Sequence, residues 1–309
     1  MSSEMVVHGR DGYLFLTNDV SHVMEQVEGS HVMPDELLWS IAMVHRARRA
    51  VCEDLLGCAY IHWLIPDRET ALASKLPETI VPGRHGPRAI GRYRELGCAE
   101  LHQPLMDVTL LTSSDRPTFF KQDTHWTWHG AHRYLEASLK QTRPDLHARL
   151  AAITFVENWF KLPGDLGSKI GSEPEDAVIG LPSTGGILPA FDNEISNFGR
   201  TRIYVNPDCD NQERILILHD SSAEWLTTML PAIAHTCMFV HTPEFDPGFL
   251  RRFRPTLVLF SQIERFFIRP PRNDIALLPL ISEQEKDKEG KKPFIAWPDF
   301  ATHVFDLGG

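Results

Sequence analysis

The sequence predicts an α/β fold with a mostly parallel sheet flanked by helices, and three observations lead there. Ile215 to Leu218 is an unbroken apolar run, the pattern of a central parallel strand covered on both faces. A turn, His219 to Ser222, and a helical stretch from Ala223 to Leu230 follow it. Ala59 to Ile65 reads as a second buried strand that stops at Pro66, Asp67 and Arg68 before a helical stretch to about Leu76. Strand, tight turn and helix make half of a βαβ unit. Two more apolar strands, Thr236–His241 and Pro255–Phe260, complete the pattern.

The remaining elements are placed around these. Gly9 to Leu16 reads as a turn followed by a short strand. Pro34 to Leu56 carries Leu37, Leu38, Ile41 and Val44 at helical spacing, with Pro34 suited to the first turn. Residues 77–120 form a connection with a short helix near Arg88–Leu96 and a strand near Leu105–Leu111. A helix runs from about Gly130 to Gln141, and a strand from Ile153 to Phe160. Gly164 to Ile170 is a turn and short helical piece. Residues 171–200, with Pro174, Pro182, Gly185, Gly186 and Pro189, read as an irregular surface insertion. Residues 282–292 are a mixed-charge run, most simply a solvated loop, before a short packed tail from Pro293. One domain is expected over residues 1–309.

Composition narrows the partners. The 309 residues are 42% hydrophobic and 23% charged, ordinary for a globular protein. A net charge of -10 argues against nucleic acid and anionic membranes, which need a basic surface. The five cysteines, Cys52, Cys58, Cys98, Cys209 and Cys237, are scattered and suggest neither a disulfide framework nor a structural zinc site. No apolar run is long enough to span a membrane, and Met1 to Gly12 shows no signal-peptide pattern. A cytoplasmic location is therefore expected; a periplasmic one would need sequence upstream of Met1.

Two stretches carry chemistry. Lys121 to His132 places Asp123 two residues before His125, ahead of Trp126 and Trp128. A carboxylate beside an imidazole fixes the tautomer of a general base and stabilises the imidazolium. Ser221 stands where a parallel strand gives way to a helix, the position where open α/β sheets bind ligands and where helix N–H groups can stabilise an oxyanion. Asp220 is expected to cap or brace the turn, and Ser222 is able to cap the following helix. A metal alternative exists: His125, His129 and His132 at i, i+4 and i+7, with Asp123, make a zinc-like set.

Five segments carry a resemblance: Gly9–Leu16, Ile65–Arg68, Asp123–Ala131, Leu218–Ser221 and Glu264–Arg265. In these the chain resembles the SGNH hydrolase-like family of the alginate O-acetyltransferases, which modify bacterial exopolysaccharides. The resemblance implies a flavodoxin-like sheet, a circularly permuted order of catalytic blocks, and a triad of Ser221 as nucleophile, His125 as base and Asp123 as orienting acid. His219 stands where the family has the Gly of Gly-Asp-Ser. Trp126 and Arg265 are the candidate substrate-binding residues: an exposed Trp126 would stack on a sugar ring. Glu264 and Arg265 otherwise read as an ion pair at a strand end.

The expected activity is O-acyl transfer, most simply acetyl, through a serine acyl-enzyme to a hydroxyl of a saccharide or related metabolite. No tightly bound cofactor is expected; acetyl-CoA is a possible donor. Association with a polysaccharide-acetylation or biosynthetic complex is a further expectation. Two alternatives stand beside it: an acetylesterase with the same triad, and a non-catalytic carbohydrate-binding or assembly protein.

Overall fold

The computed structural model describes residues 5–273 apart from 18 and 184, together with residues 276 and 277. The chain opens with a hairpin, β1 (Val6–His8) and β2 (Leu14–Leu16), then α1 (Val23–Glu28) and α2 (Asp35–Ala50). Strand β3 (Ala59–Ile65) is followed by α3 (Arg68–Ala71), α4 (Ala89–Glu95) and α5 (Thr109–Thr112). Helices α6 (Trp128–Thr142) and α7 (Pro144–Ala152) precede β4 (Phe155–Leu162), α8 (Gly167–Ile170) and β5 (Glu175–Pro182). Then come β6 (Leu188–Asp192), β7 (Thr201–Val205), β8 (Arg214–His219), α9 (Leu230–Ile233), β9 (Thr236–His241), α10 (Pro247–Phe253) and β10 (Leu257–Ile263).

The central sheet has the order β3-β10-β8-β9-β7-β6. The four strands β3, β10, β8 and β9 are parallel, and β7 and β6 close one side antiparallel. The parallel strands are the ones whose sequence is continuously apolar, because both faces are covered. Ile215, Ile217 and Phe239 point into one core with Trp63, Trp126 and Tyr134. Leu216, Leu218 and Met238 point into a second core with Phe249 and Phe253.

Three expectations are corrected. Leu105 makes only an isolated bridge to Trp63, and the strand expected at Leu105–Leu111 is replaced by α5. The insertion expected at 171–200 contains β5 and β6; prolines and glycines hid their alternation. The strand expected at Ile153–Phe160 is present as β4, which forms a separate antiparallel hairpin with β5. The helix expected from Ala223 is a 3-10 turn over Ser221–Thr228; of the two cap candidates, Asp220 is the one that caps it. The run at 282–292 and the tail from Pro293 lie outside the described residues.

On the second face, His45, His62 and His102 stack in a buried group. The His45 and His62 rings are 3.9 Å apart at 16°, and His45 and His102 are 5.0 Å apart at 17°. Tyr60 and Tyr93 contact the stack through their hydroxyls, and Arg48 is buried beside it. Burial holds His45 and His62 well below the ordinary histidine value and pushes His102 down to about 3. Below about pH 6.5 the unfolded chain takes up protons that the native stack refuses. Stability from the stack is therefore full above that pH and is lost progressively below it, by about 2 kcal/mol at pH 5 for each histidine that stays neutral. Urea midpoints at about pH 7.5 and pH 5 check this: a clear fall is expected, and it should shrink in His62→Gln.

Candidate active site

Ser221 follows the end of β8, and its position is set by Asp220. The Asp220 carboxylate accepts the Ser222 N–H at 2.8 Å through one oxygen and the Ile263 N–H at 2.7 Å through the other. The turn is thus braced both to its own 3-10 segment and to β10. His219 keeps this geometry. Its Nδ1–H donates to the Asp220 carbonyl at 2.6 Å, and burial lowers its pKa to about 4, so the ring is neutral.

His125 comes from a loop fixed by its backbone. The Asp123 carboxylate accepts from His125 Nδ1 at 2.6 Å and from the His125 N–H at 2.8 Å through Oδ1, and from the Asp165 N–H at 2.8 Å through Oδ2. With Nδ1–H donating, Nε2 carries the lone pair of a base. Asp165 returns the contact by accepting the Thr124 N–H at 2.7 Å. The Gln122 carbonyl accepts from Leu166 and Gly167, and the Glu175 carboxylate accepts the N–H groups of Lys121 and Gln122. Buried Arg68 donates to the carbonyls of Asp123 and Lys121.

Two glycines make this packing possible. A Cβ at Gly164, which sits at φ +65°, would lie 2.3 Å from the Gln122 carbonyl oxygen, and one at Gly167 would meet the Gln122 side chain. Asp165 between them is a site residue that sequence reasoning missed. The flanking glycines were its signal, although 42 residues separate it from Asp123.

The titration of the pair follows from these contacts. Burial disfavours both charges, but the mutual hydrogen bond outweighs it: Asp123 is lowered and His125 is raised from the ordinary 6.5. The His125 side chain remains 28% exposed. His125 and Ser221 together line two cavities, one of about 690 Å³ and one of about 290 Å³. Among the described residues no hydrogen bond joins Ser221 Oγ to His125; such contacts commonly tighten only when substrate is bound.

The candidate substrate residues separate. Arg265 lines the larger cavity, with its guanidinium held by Asp67 Oδ1 at 3.0 Å. It does not pair with Glu264, which instead meets Arg88 at 3.2 Å and accepts from Thr70 and from the Asp67 N–H. Trp126 is 1% exposed and packs between Trp63 and Tyr134. It is a core residue, not a sugar platform. Its Nε1–H donates to the Ser222 carbonyl at 2.6 Å.

The zinc-like histidine set is not assembled. His125 precedes α6, His129 lies beside Arg116 and Glu157, and His132 stacks on Trp128. The His45, His62 and His102 donor atoms lie within 4.8 Å of one another. Two of those donor atoms are already engaged with each other, His62 Nδ1 and His102 Nε2 at 2.9 Å, and His45 Nδ1 contacts the Tyr60 hydroxyl at 3.1 Å.

The fold, with His125 and Ser221 lining the same two cavities, is that of an SGNH-type enzyme. Residues 6–183 match the family described as the SGNH hydrolase-like domain of acetyltransferase AlgX, and the chain belongs to that family of acetyltransferases. Solved structures share the fold. Bacillus cereus PatB1 aligns at 15% identity and TM-score 0.56, over 85% of this chain and 96% of its own. The O-acetyltransferase domain of Pseudomonas putida AlgJ aligns at 16% identity and TM-score 0.53, over 92% and 99%. Pseudomonas aeruginosa AlgX aligns at 14% identity and TM-score 0.50, over 93% and 67%. A search of curated protein sequences found no significant match.

The raised pKa of His125 fixes the sign of the pH dependence. With His125 as general base for Ser221, acylation would need the neutral imidazole, and its rate should climb with pH through a midpoint above 6.5. Asp123→Asn should move that midpoint down and slow acylation by roughly 10⁴-fold. Stopped-flow acylation with an aryl acetate across pH checks both.

Proposed function

We propose that this chain moves an acetyl group through Ser221 onto a hydroxyl of a saccharide. The observation that supports the reading is that Ser221 and His125 form a shared wall between two cavities. A transferase needs room for a donor and an acceptor on either side of one acyl-enzyme.

In the first step His125 Nε2 takes the Ser221 proton as Oγ attacks the donor carbonyl. The tetrahedral oxyanion collapses, the bond from the acyl carbon to its leaving group breaks, and His125 protonates that group. In the second step His125 removes the proton of an acceptor hydroxyl, whose oxygen attacks the acyl-enzyme and releases Ser221. The Ser221 N–H serves as one oxyanion donor: Asp220 engages the neighbouring Ser222 N–H and leaves that of Ser221 to the cavity. Arg265 binds donor or acceptor oxygens from the wall of the larger cavity. The donor is an activated acetyl ester or thioester, acetyl-CoA if the chain works in the cytoplasm. The likeness of fold to the O-acetyltransferase domain of Pseudomonas putida AlgJ is consistent with a hydroxyl acceptor.

Incubation with p-nitrophenyl acetate followed by intact-protein mass spectrometry tests the reading. Wild type should gain one acetyl group mapped to Ser221, and Ser221→Ala and His125→Ala should gain none. Absence of the adduct and of donor turnover in wild type would overturn the triad.

A further inference from the structure

The β4–β5 hairpin carries a third cavity, of about 400 Å³, that neither Ser221 nor His125 lines. We propose that it is a subsite for an uncharged hexopyranose unit of the acceptor, flanking the unit whose hydroxyl reacts. That the sugar belongs to an acceptor rests on the acyl-transfer reading; the fit of the cavity to a neutral sugar rests on its volume, its aromatic walls and its paired charges.

Its volume falls in the range of about 300–1,000 Å³ usual for small-molecule sites. Tyr13, Phe119, Phe120 and Trp159 supply aromatic walls, and Arg116 and Glu157 supply polar groups. Trp159 is 68% exposed, the most exposed tryptophan among the described residues, although an indole is ordinarily kept largely covered. A pyranose has an apolar face of axial C–H groups and a rim of hydroxyls. An indole wall beside hydrogen-bonding side chains suits both.

Position ties this cavity to the reacting groups. Side chains alternate along β4, so Glu157 and Trp159 face this cavity while Phe160 and Leu162 turn the other way. Phe160 lies 6.4 Å from Trp225, and Leu162 lines the smaller cavity with Asp123, His125 and Ser221. Phe120 lines both cavities. From Trp159 to Leu162 the strand rises by roughly 10 Å, so a chain of linked sugars can lie over the hairpin with one unit at each side.

The charges select a neutral sugar. Arg116 is paired with Glu157 and contacts His129 Nε2 at 2.9 Å; His129 is lowered by its burial and by Arg116 and is neutral near pH 7. Lys121 lies over the Tyr13 ring, Glu175 is engaged by two backbone N–H groups, and Asp176 pairs with Lys161. Three carboxylates, Glu157, Glu175 and Asp176, thus line the cavity against two cations, of which Arg116 is already paired. A hexuronate carboxylate would enter a lining in which acids outnumber cations, whereas hydroxyls meet donors and acceptors.

Isothermal titration of Ser221→Ala protein with three hexasaccharides tests the proposal: β-linked glucose, β-linked N-acetylglucosamine, and a hexuronate. At least one neutral oligomer should bind and the hexuronate should not. Adding Trp159→Ala should weaken that binding about tenfold, as loss of one aromatic stacking contact implies. Adding Trp39→Ala, at an exposed tryptophan on α2, should leave it within twofold. No binding by either neutral oligomer, equal binding in Trp159→Ala, or tighter binding of the hexuronate would each overturn the proposal. Trp159-dependent binding in a chain that never acetylates Ser221 would keep the subsite and remove the transferase reading instead.

Discussion

Three indole N–H groups hold the two halves of the site at a fixed separation. Trp126 Nε1 donates to the Ser222 carbonyl, Trp225 Nε1 to the Trp126 carbonyl at 2.8 Å, and Trp128 Nε1 to Thr228 Oγ1 at 3.1 Å. Each bond joins the His125 segment to the Ser221 segment, across 96 to 100 residues of chain. A buried indole N–H without an acceptor costs the full desolvation of that group, so the segments cannot drift apart without stranding all three. The sheet delivers only Ser221, at the end of β8. His125 comes from no strand, and its distance from the nucleophile depends on these tryptophans.

Around that joint the chain buries charge, which is tolerable only when every ion is matched. Arg265 and Arg88 share Asp67, Arg88 also meets Glu264, and Glu264 returns to the Asp67 N–H. Arg68, buried nearby, spends its guanidinium on loop carbonyls rather than on a carboxylate. The consequence is a set of dipoles that need not move when charge develops at Ser221, which is the form of stabilisation that costs no reorganisation during reaction. Asp220 belongs to the same frame: it touches no reacting atom, yet it fixes the direction of the Ser221 turn.

What the sequence disclosed came from periodicity and proximity. β3, β8, β9 and β10 were legible because strands covered on both faces must be apolar throughout, and α2 and α6 because their apolar spacing is helical. Asp123 and His125 were legible because two residues of one loop meet without help from the fold. Asp165, Asp67 and Arg88 were not, since each reaches the site through a contact dozens of residues long. Trp126 misled for a physical reason: an aromatic beside a base suits both sugar stacking and packing, and only burial separates the two. β5 and β6 escaped because a strand in a half-exposed hairpin or at a sheet edge has little alternation to show once Pro182 and Pro189 interrupt it.

Whether an acyl-enzyme is discharged by water or by a sugar is decided outside the sheet. On the proposed mechanism the triad would treat any hydroxyl alike, since His125 would deprotonate whichever one is presented. Selection needs a surface that holds the intended hydroxyl near Ser221 and keeps apolar cover over the rest of the opening. Leu162 and Trp225 line the smaller cavity, with Phe160 packed near Trp225; all belong to the hairpin or to the 3-10 segment after the nucleophile. The hairpin is in turn anchored to the base, because Glu175 at the start of β5 holds the backbone of Lys121 and Gln122. On the proposed function, an acceptor held against the hairpin would therefore also bear on the loop that carries His125.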